Sequence, residues 1–372
     1  MKKITIALLS LALAGMVTGC SQSSEAQMER TITINSNVQL ESSLADSTLP
    51  IEHHSIPLPE GLSAEASYAG FLGQKFYLNS DDGIYLFDAE SENYGKVMDG
   101  DFYEVSKNGK HALTSIEDVS YVIDLETGEK TKISATHLKE MVSFANDEGT
   151  EVFHIYEGDN EDFVFELINV ENKAKKSWST TDQLAQNNLM MAAKKADNGI
   201  YVTGENSDGA YGLYQILDGN EVKQVATFDN GLMVDSFDFL SSKSIIFSGS
   251  VNDQTGIYIK DLNNKEAKLL VAGGEDEEGK WTPSYKLSPD KKKILFDTPV
   301  QVGEEYKTNV YVAEIDGEQL TNTARLIENG DLYAVISLSG NWSADSKTTY
   351  IFTYNKEDFT VDTIEKFVIG DE

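Results

Sequence analysis

The residues able to do chemistry in this 372-residue chain are few in kind. Five histidines occur, His53, His54, His111, His137 and His154, and none has the spacing of a zinc motif. Neutral surface or loop positions account for each, with the 53–54 pair in an irregular stretch. A serine nucleophile in a hydrolase elbow would need a base downstream. No G-x-S-x-G pentapeptide is present, and no histidine follows His154. Carboxylates are plentiful, 62 in all, and they collect in "NSDDG" (79–83), "EGDNED" (157–162) and "GGEDEEG" (273–279). None has the one-three-five carboxylate spacing with a late bidentate glutamate that a calcium loop uses. Weak Ca2+ binding by these loops is the only cofactor expectation, and solvated connections are the plainer reading. Paired carboxylates from separate segments remain open as glycoside or lyase chemistry, because spacing along the chain would hide them.

One serine–aspartate pair has a more defined setting. In "KLSPDKKKILFDT" (286–298), Ser288-Pro289-Asp290 precedes lysines and then an abrupt apolar run. Proline pre-sets the second position of a tight turn, and Ser and Asp side chains bond nearby amides. The pair is turn chemistry, not catalysis. The same phrase recurs in "YEVSKNGKHALTS" (103–115), "VSFANDEGTEVFHI" (142–155), "AAKKADNGIYVTG" (192–204), "FDFLSSKSIIFSG" (237–249) and "NWSADSKTTYIFTY" (341–354), with a weaker copy at 67–80. The first turn residues, Ser106, Ala145, Ala196, Leu240, Ser288 and Ser343, stand 39 to 55 residues apart.

Such a period with strand-like content points to propeller blades. The hairpins "SYVIDLETGEKTKI" (120–133), "GIYIKDLNNKEAKLLV" (256–271) and "NVYVAEIDGEQL" (309–320) supply two more strands per unit. A four-stranded blade buries its faces only by packing in a ring. The expectation is therefore an all-β β-propeller of four-stranded antiparallel blades over 67–372. Seven blades fit the span, with six and eight as the neighbouring counts. "STTDQLAQNNLMMAAKK" (179–195) interrupts the pattern and reads as a short helix or loop insertion. "TITINSNVQL" (31–40) alternates Ile32, Ile34, Val38 and Leu40, a strand that could close the ring against a terminal blade. The rest of 31–66 reads as an irregular linker.

The units "SPDKKKILF" and "WSADSKTTYIF", with "VYVAEIDG" as third strand, resemble the TolB-like, or WD40-like, β-propeller repeat. The usual Ser-Pro-Asp-Gly is altered here, as in Ser-Lys-Asn-Gly at 106–109. The resemblance implies a scaffold whose loops and central funnel bind protein or peptide.

The chain opens on two lysines, an apolar run from Ile4 to Val17 and then small residues, the form of a signal peptide (1–19). Val17-Thr18-Gly19-Cys20 resembles the bacterial lipoprotein box. That resemblance implies cleavage between Gly19 and Cys20 and lipidation of Cys20, with acyl chains that hold the protein to a membrane. Residues 20–30 then read as the lipidated cysteine and a flexible tether. Cys20 is the only cysteine, so the folded part can hold neither a disulfide nor a thiolate site. A net charge of −32, with Arg30 and Arg325 as the only arginines, argues against nucleic acid as a partner.

The expected function is thus a non-enzymatic protein- or peptide-binding or assembly module. It would be anchored at the extracytoplasmic face of a cell membrane, facing the wall in a Gram-positive source or the periplasm in a diderm, with an envelope protein or peptide as partner. A solute- or glycan-binding receptor and, third, a propeller enzyme are the alternatives.

Overall fold

The computed structural model describes residues 33–35, 49–63, 67–134, 140–157, 163–179, 193–196, 199–205, 211–217, 221–227, 236–263, 266–276, 279–302, 305–330, 340–354 and 361–370. Gly19 and Cys20 lie outside them.

Runs of consecutive apolar residues give the middle strands two apolar faces, and the structure uses both. In Lys75–Ser80, Phe76 and Leu78 point one way and Tyr77 the other. Phe76 and Leu78 pack on Tyr350 and Phe352 near the C-terminal end of the chain, whereas Tyr77 packs with Phe102 and with Ala112 and Ile123 of the following sheet. A strand with two buried faces must be sandwiched, and only a ring sandwiches every sheet.

Seven sheets of four antiparallel strands form that ring. Blades 1 to 6 are contiguous, over 67–98, 104–132, 140–179, 193–227, 236–272 and 285–330, and their strands pair in sequence order. Seven apolar clusters fill the seven junctions. Between blades 5 and 6, for example, Ile246 and Ile257 meet Tyr285, Ile294 and Phe296. Leu295, one residue along, turns instead to Trp342 and Ile351 of blade 7.

Blade 7 closes the ring. Its strands are Gly340–Trp342, Thr348–Tyr354 and Val361–Ile369, and its fourth, outer strand is Ile51–Pro57. A clasp between the two ends of the propeller is therefore present, but Thr33–Asn35, the described part of 31–40, does not make it. Thr33–Asn35 runs parallel to Glu266–Ala272, on the outer edge of blade 5. Ile51–Pro57, expected as irregular linker, is an outer strand whose single deeply buried side chain is Ile56. Ile56 sits with Leu58, and with Leu62 from the helical turn Glu60–Ser63, in the junction of blades 7 and 1. Most of 179–195 lies outside the described residues; Ala193–Ala196 at its end is the first strand of blade 4.

Candidate functional site

The first strand of each blade lies at one edge of its sheet, and first strands of neighbouring blades touch, blade 1 on blade 2 and blade 6 on blade 7. These seven strands surround the central lumen. Each leads into the turn recognised in the sequence, and three of those turns share one hydrogen-bond pattern. Ser288 Oγ donates to Asp290 Oδ1 (2.6 Å) and accepts the Lys293 N–H (2.9 Å), while Asp290 Oδ1 accepts the Lys292 N–H (3.0 Å). Ser343, Asp345, Lys347 and Thr348 repeat it at 2.6, 3.0 and 2.9 Å. Ser106, Asn108, Lys110 and His111 repeat it again with an amide in place of the carboxylate. The Ser343 hydroxyl and the Lys347 N–H hold the Asp345 carboxyl below its ordinary range. Ser288 and Asp290 thus do the turn work assigned to them.

The turns also join neighbouring blades into a rim. The Asp290 N–H donates to Ser346 Oγ at 3.0 Å, and the Asn108 N–H to the Asp147 carbonyl at 3.3 Å. Two open grooves lie along the rim. One, of about 430 Å³, lies between blades 3 and 4, beside Asn146, Glu148 and the Glu151–Lys195 ion pair. The other, of about 540 Å³, lies between blades 7 and 1, beside Gln74, Asp345 and Tyr350.

Below the rim the inner strands present a layer with one residue per blade. Two positions before each turn stand Gly70, Glu104, Ser143, Lys194, Asp238, Lys286 and Asn341. Strand registers bear out the equivalence: Glu104 lies opposite Leu113, Ser143 opposite Phe153, Lys286 opposite Leu295 and Asn341 opposite Tyr350. At Gly70 a Cβ would come within 2.3 Å of the Val105 Cβ, so the missing side chain is what lets the inner strands of blades 1 and 2 meet.

The charged members of this layer bind blades together. Glu104 of blade 2 accepts the Phe144 N–H of blade 3 at 3.1 Å. Lys194 of blade 4 pairs with Asp238 of blade 5 at 3.2 Å, the two side chains staying 46 % and 36 % open to solvent. The Trp342 indole N–H of blade 7 points at the Lys286 carbonyl of blade 6, 3.4 Å away. Burial pushes the Glu104 carboxyl up to about 6, although the Phe144 N–H, Lys194 and Lys286 pull it the other way. Asp238, more than any other group, raises the Lys194 ammonium. Burial and then the Lys194 charge lower the Lys286 ammonium, with Asp238 and Glu104 opposing. Burial and then Asp238 push the Tyr285 hydroxyl well above its ordinary value.

The other residues considered from sequence are spread through the fold. His53 and His54 stand on the closing strand, not in an irregular stretch. His53 stacks on Phe367 at 4.5 Å, with its Nε2 2.6 Å from Glu365 Oε2. His154, expected at the surface or in a loop, is buried on blade 3, its Nδ1 3.1 Å from Glu166 Oε2. It is buried because His154, Glu166 and Ser177 face one another across three strands and satisfy each other there. His111 Nδ1 lies 3.0 Å from the Glu148 carbonyl, and His137 lies outside the described residues. In the 79–83 loop, Asp82 accepts the Tyr85 hydroxyl and pairs with Lys96. Residues 158–162 lie outside the described residues, and 274–281 forms a hairpin of Gly274–Asp276 and Gly279–Trp281. Among the described residues, no group of three or more His, Cys, Asp or Glu is placed to hold a metal ion.

No family model matches the sequence, and no curated protein matches it. Solved structures do. A chain of the mitotic checkpoint complex superposes with a TM-score of 0.54 at 10% identity, over 97% of this chain and 99% of that one. The β-propeller domain of Cps50 (Swd1) from Myceliophteria thermophila gives 0.49 at 10% identity, over 87% and 99%. TolB from Acinetobacter baumannii gives 0.42 at 16% identity, over 68% of this chain and 63% of that one. At these identities the likeness is one of fold: this chain is a seven-bladed β-propeller, and TolB stands among the solved structures similar to it.

Proposed function

We propose that the chain is a non-enzymatic binding module that takes a protein or peptide at the rim and lumen of its propeller, anchored by lipid on Cys20 at the extracytoplasmic face of a cell membrane. The observation that carries the binding role is the lumen layer. It presents Glu104, Lys194, Asp238 and Lys286 from four blades at one level, charges of both signs on a rigid frame, as recognition of a polar segment requires. General acid–base chemistry would want two carboxyl groups free to exchange protons with a substrate. In the layer Asp238 is engaged by Lys194, and the Glu104 carboxylate accepts the Phe144 N–H. The anchor rests on the Val17-Thr18-Gly19-Cys20 box and the polar stretch that follows it.

In-cell cross-linking of the tagged full-length protein, with Cys20→Ala as control and mass spectrometry as readout, tests both halves. A stoichiometric envelope partner that disappears when the anchor is removed is the expected result. Recovery of nothing above the control would overturn the binding role, and an unchanged membrane fraction for Cys20→Ala would overturn the anchor.

A further inference from the structure

The turns of the rim differ in length, and the grooves follow from that difference. Counted from the lumen layer out along each turn and back, Glu104 meets Leu113, Lys286 meets Leu295 and Asn341 meets Tyr350, each nine residues on. Gly70 meets Tyr77 and Lys194 meets Tyr201 only seven residues on, so the turns of blades 1 and 4 are two residues shorter. Where one long turn precedes another, the two join. The Asp290 N–H of blade 6 donates to Ser346 Oγ of blade 7, and Lys293 Nζ lies 3.5 Å from the Ser346 carbonyl. Where a long turn precedes a short one, blade 3 before 4 and blade 7 before 1, a groove lies open. The Glu151–Lys195 ion pair spans the first groove, and no ion pair among the described residues spans the second. The blade 7 turn repeats the hydrogen bonds of the blade 6 turn, which makes Asp345 the counterpart of Asp290 and aims its N–H toward blade 1. Among the described residues, the bonds of Asp345 stay within its own turn. Blade 1 offers only the tight turn of Gly73 and Gln74, and a Cβ on Gly73 would meet nothing within 4 Å.

We propose that the groove between blades 7 and 1 receives a serine- or threonine-bearing turn of the partner protein, with the Asp345 N–H donating to that hydroxyl as the Asp290 N–H donates to Ser346. This rests on the binding role proposed above and names the place and the chemistry of one contact. The molecule itself shows the occupant that fits, since the 343–348 turn of blade 7 fills the corresponding place beside the turn of blade 6. The groove, of about 540 Å³, is lined by apolar surface from Leu72 and Tyr350 and by charges of both signs from Lys75, Lys366 and Asp345. A hydroxyl replaces water at a backbone donor without loss of the hydrogen bond. A carboxylate is disfavoured at the same donor, because the Asp345 carboxylate stands beside it and repels a second negative charge.

Cys20 is the only cysteine, so a thiol placed in the groove can report alone. Full-length Cys20→Ala carrying Ala344→Cys, at an exposed position lining the groove, is labelled by disulfide exchange. The probe is a cyclic peptide of sequence Ser-Ala-Asp-Ser-Lys-Thr, that of 343–348, bearing one activated cysteine. A second protein carries its thiol at the exposed position of Lys130→Cys instead. The groove thiol is expected to react several-fold faster with this peptide than with one holding alanine for its second serine, and Lys130→Cys to react with both at one rate. Equal rates of the two peptides at the groove thiol overturn the site. Replacement of Gly73-Gln74 by Ala-Asp-Ser-Lys gives blade 1 a long turn that fills the groove, and should abolish the preference; its persistence also overturns the site. Ala344→Trp blocks the groove in the in-cell cross-linking experiment and should lose the envelope partner. If the partner is captured at full yield by Ala344→Trp, the site falls and the binding role stands. If the groove prefers the serine peptide but no partner is ever captured, the binding role falls and the site stands.

Discussion

Glu104 makes the lumen a source of pH-dependent stability, and the effect can be isolated. Burial raises its carboxyl from the ordinary 4.5 to about 6 in the folded protein. Below pH 4.5 the folded and unfolded forms both hold the proton, and Glu104 makes no difference between them. As pH rises from 4.5 toward 6, the unfolded chain releases its proton first and is favoured. Above 6 both are ionised, and the folded state carries the full penalty of about 2 kcal/mol. Glu104→Gln keeps an oxygen that can accept the Phe144 N–H and removes the charge. The two proteins should be unfolded in urea at intervals between pH 4 and 7.5. Because the other carboxylates titrate alike in both, the difference in unfolding free energy reports Glu104. It should grow with pH in favour of the glutamine variant by about 2 kcal/mol, most of it between pH 4.5 and 6.5. A flat difference, or one that shrinks as pH rises, would refute the assignment of Glu104 to a desolvated lumen position.

Four further outcomes follow from packing. Ile56→Asp puts a carboxylate into the apolar junction that closes the ring, and its urea midpoint should fall by the equivalent of about 3 kcal/mol or more. Gly109 has φ +66° and its absent Cβ would lie 2.7 Å from Leu72, so Gly109→Ala should lose about 1–3 kcal/mol. Lys291, at φ 61° in the matching turn of blade 6, should gain up to about 1 kcal/mol as Lys291→Gly, both variants being read by thermal melting. His154→Ala takes the imidazole from buried Glu166 and should cost about 1–3 kcal/mol in urea denaturation at pH 7.

Much of the ring was legible because strand alternation and turn chemistry are local. Ser288-Pro289-Asp290 and its copies announced the start of each blade, and the two-faced apolar pattern of segments such as Lys75–Ser80 announced that both faces are buried. Ile51–Pro57 was not legible as a strand. As an outer strand it buries little besides Ile56, so the period-two signal is absent, and flanking prolines that an edge tolerates read as loop. The partner of Thr33–Asn35 was hidden for a different reason: a parallel pairing across more than two hundred residues leaves no mark in local pattern. The lumen layer was missed because each member is one polar residue in one short strand. A signal was present. Once the repeats are aligned on their turns, the second residue upstream is a charged or amide residue in five blades, Glu104, Lys194, Asp238, Lys286 and Asn341, whereas its flanks are mostly apolar or aromatic, as in Tyr285-Lys286-Leu287.

The manner of ring closure has a consequence for how the chain reaches its final state. Six blades can form from contiguous sequence as it becomes available, but the seventh waits. His53 and Glu365, in contact across the closing pair, are 312 residues apart. Holding so large a loop open is not in itself prohibitive, since closure entropy grows only with the logarithm of length. The intermediate is the vulnerable species: a curved row of blades with the Phe76 and Leu78 face of blade 1 bare at one end and Ile51–Pro57 trailing from it unpaired. When Val361–Ile369 arrives, it pairs with that strand, and Tyr350 and Phe352 cover the bare face in the same event. Ile51–Pro57 and Val361–Ile369 therefore act as a latch on completeness. A chain cut short before residue 361 keeps an apolar face and a free strand edge on display, the features that mark an unfinished protein for aggregation or removal.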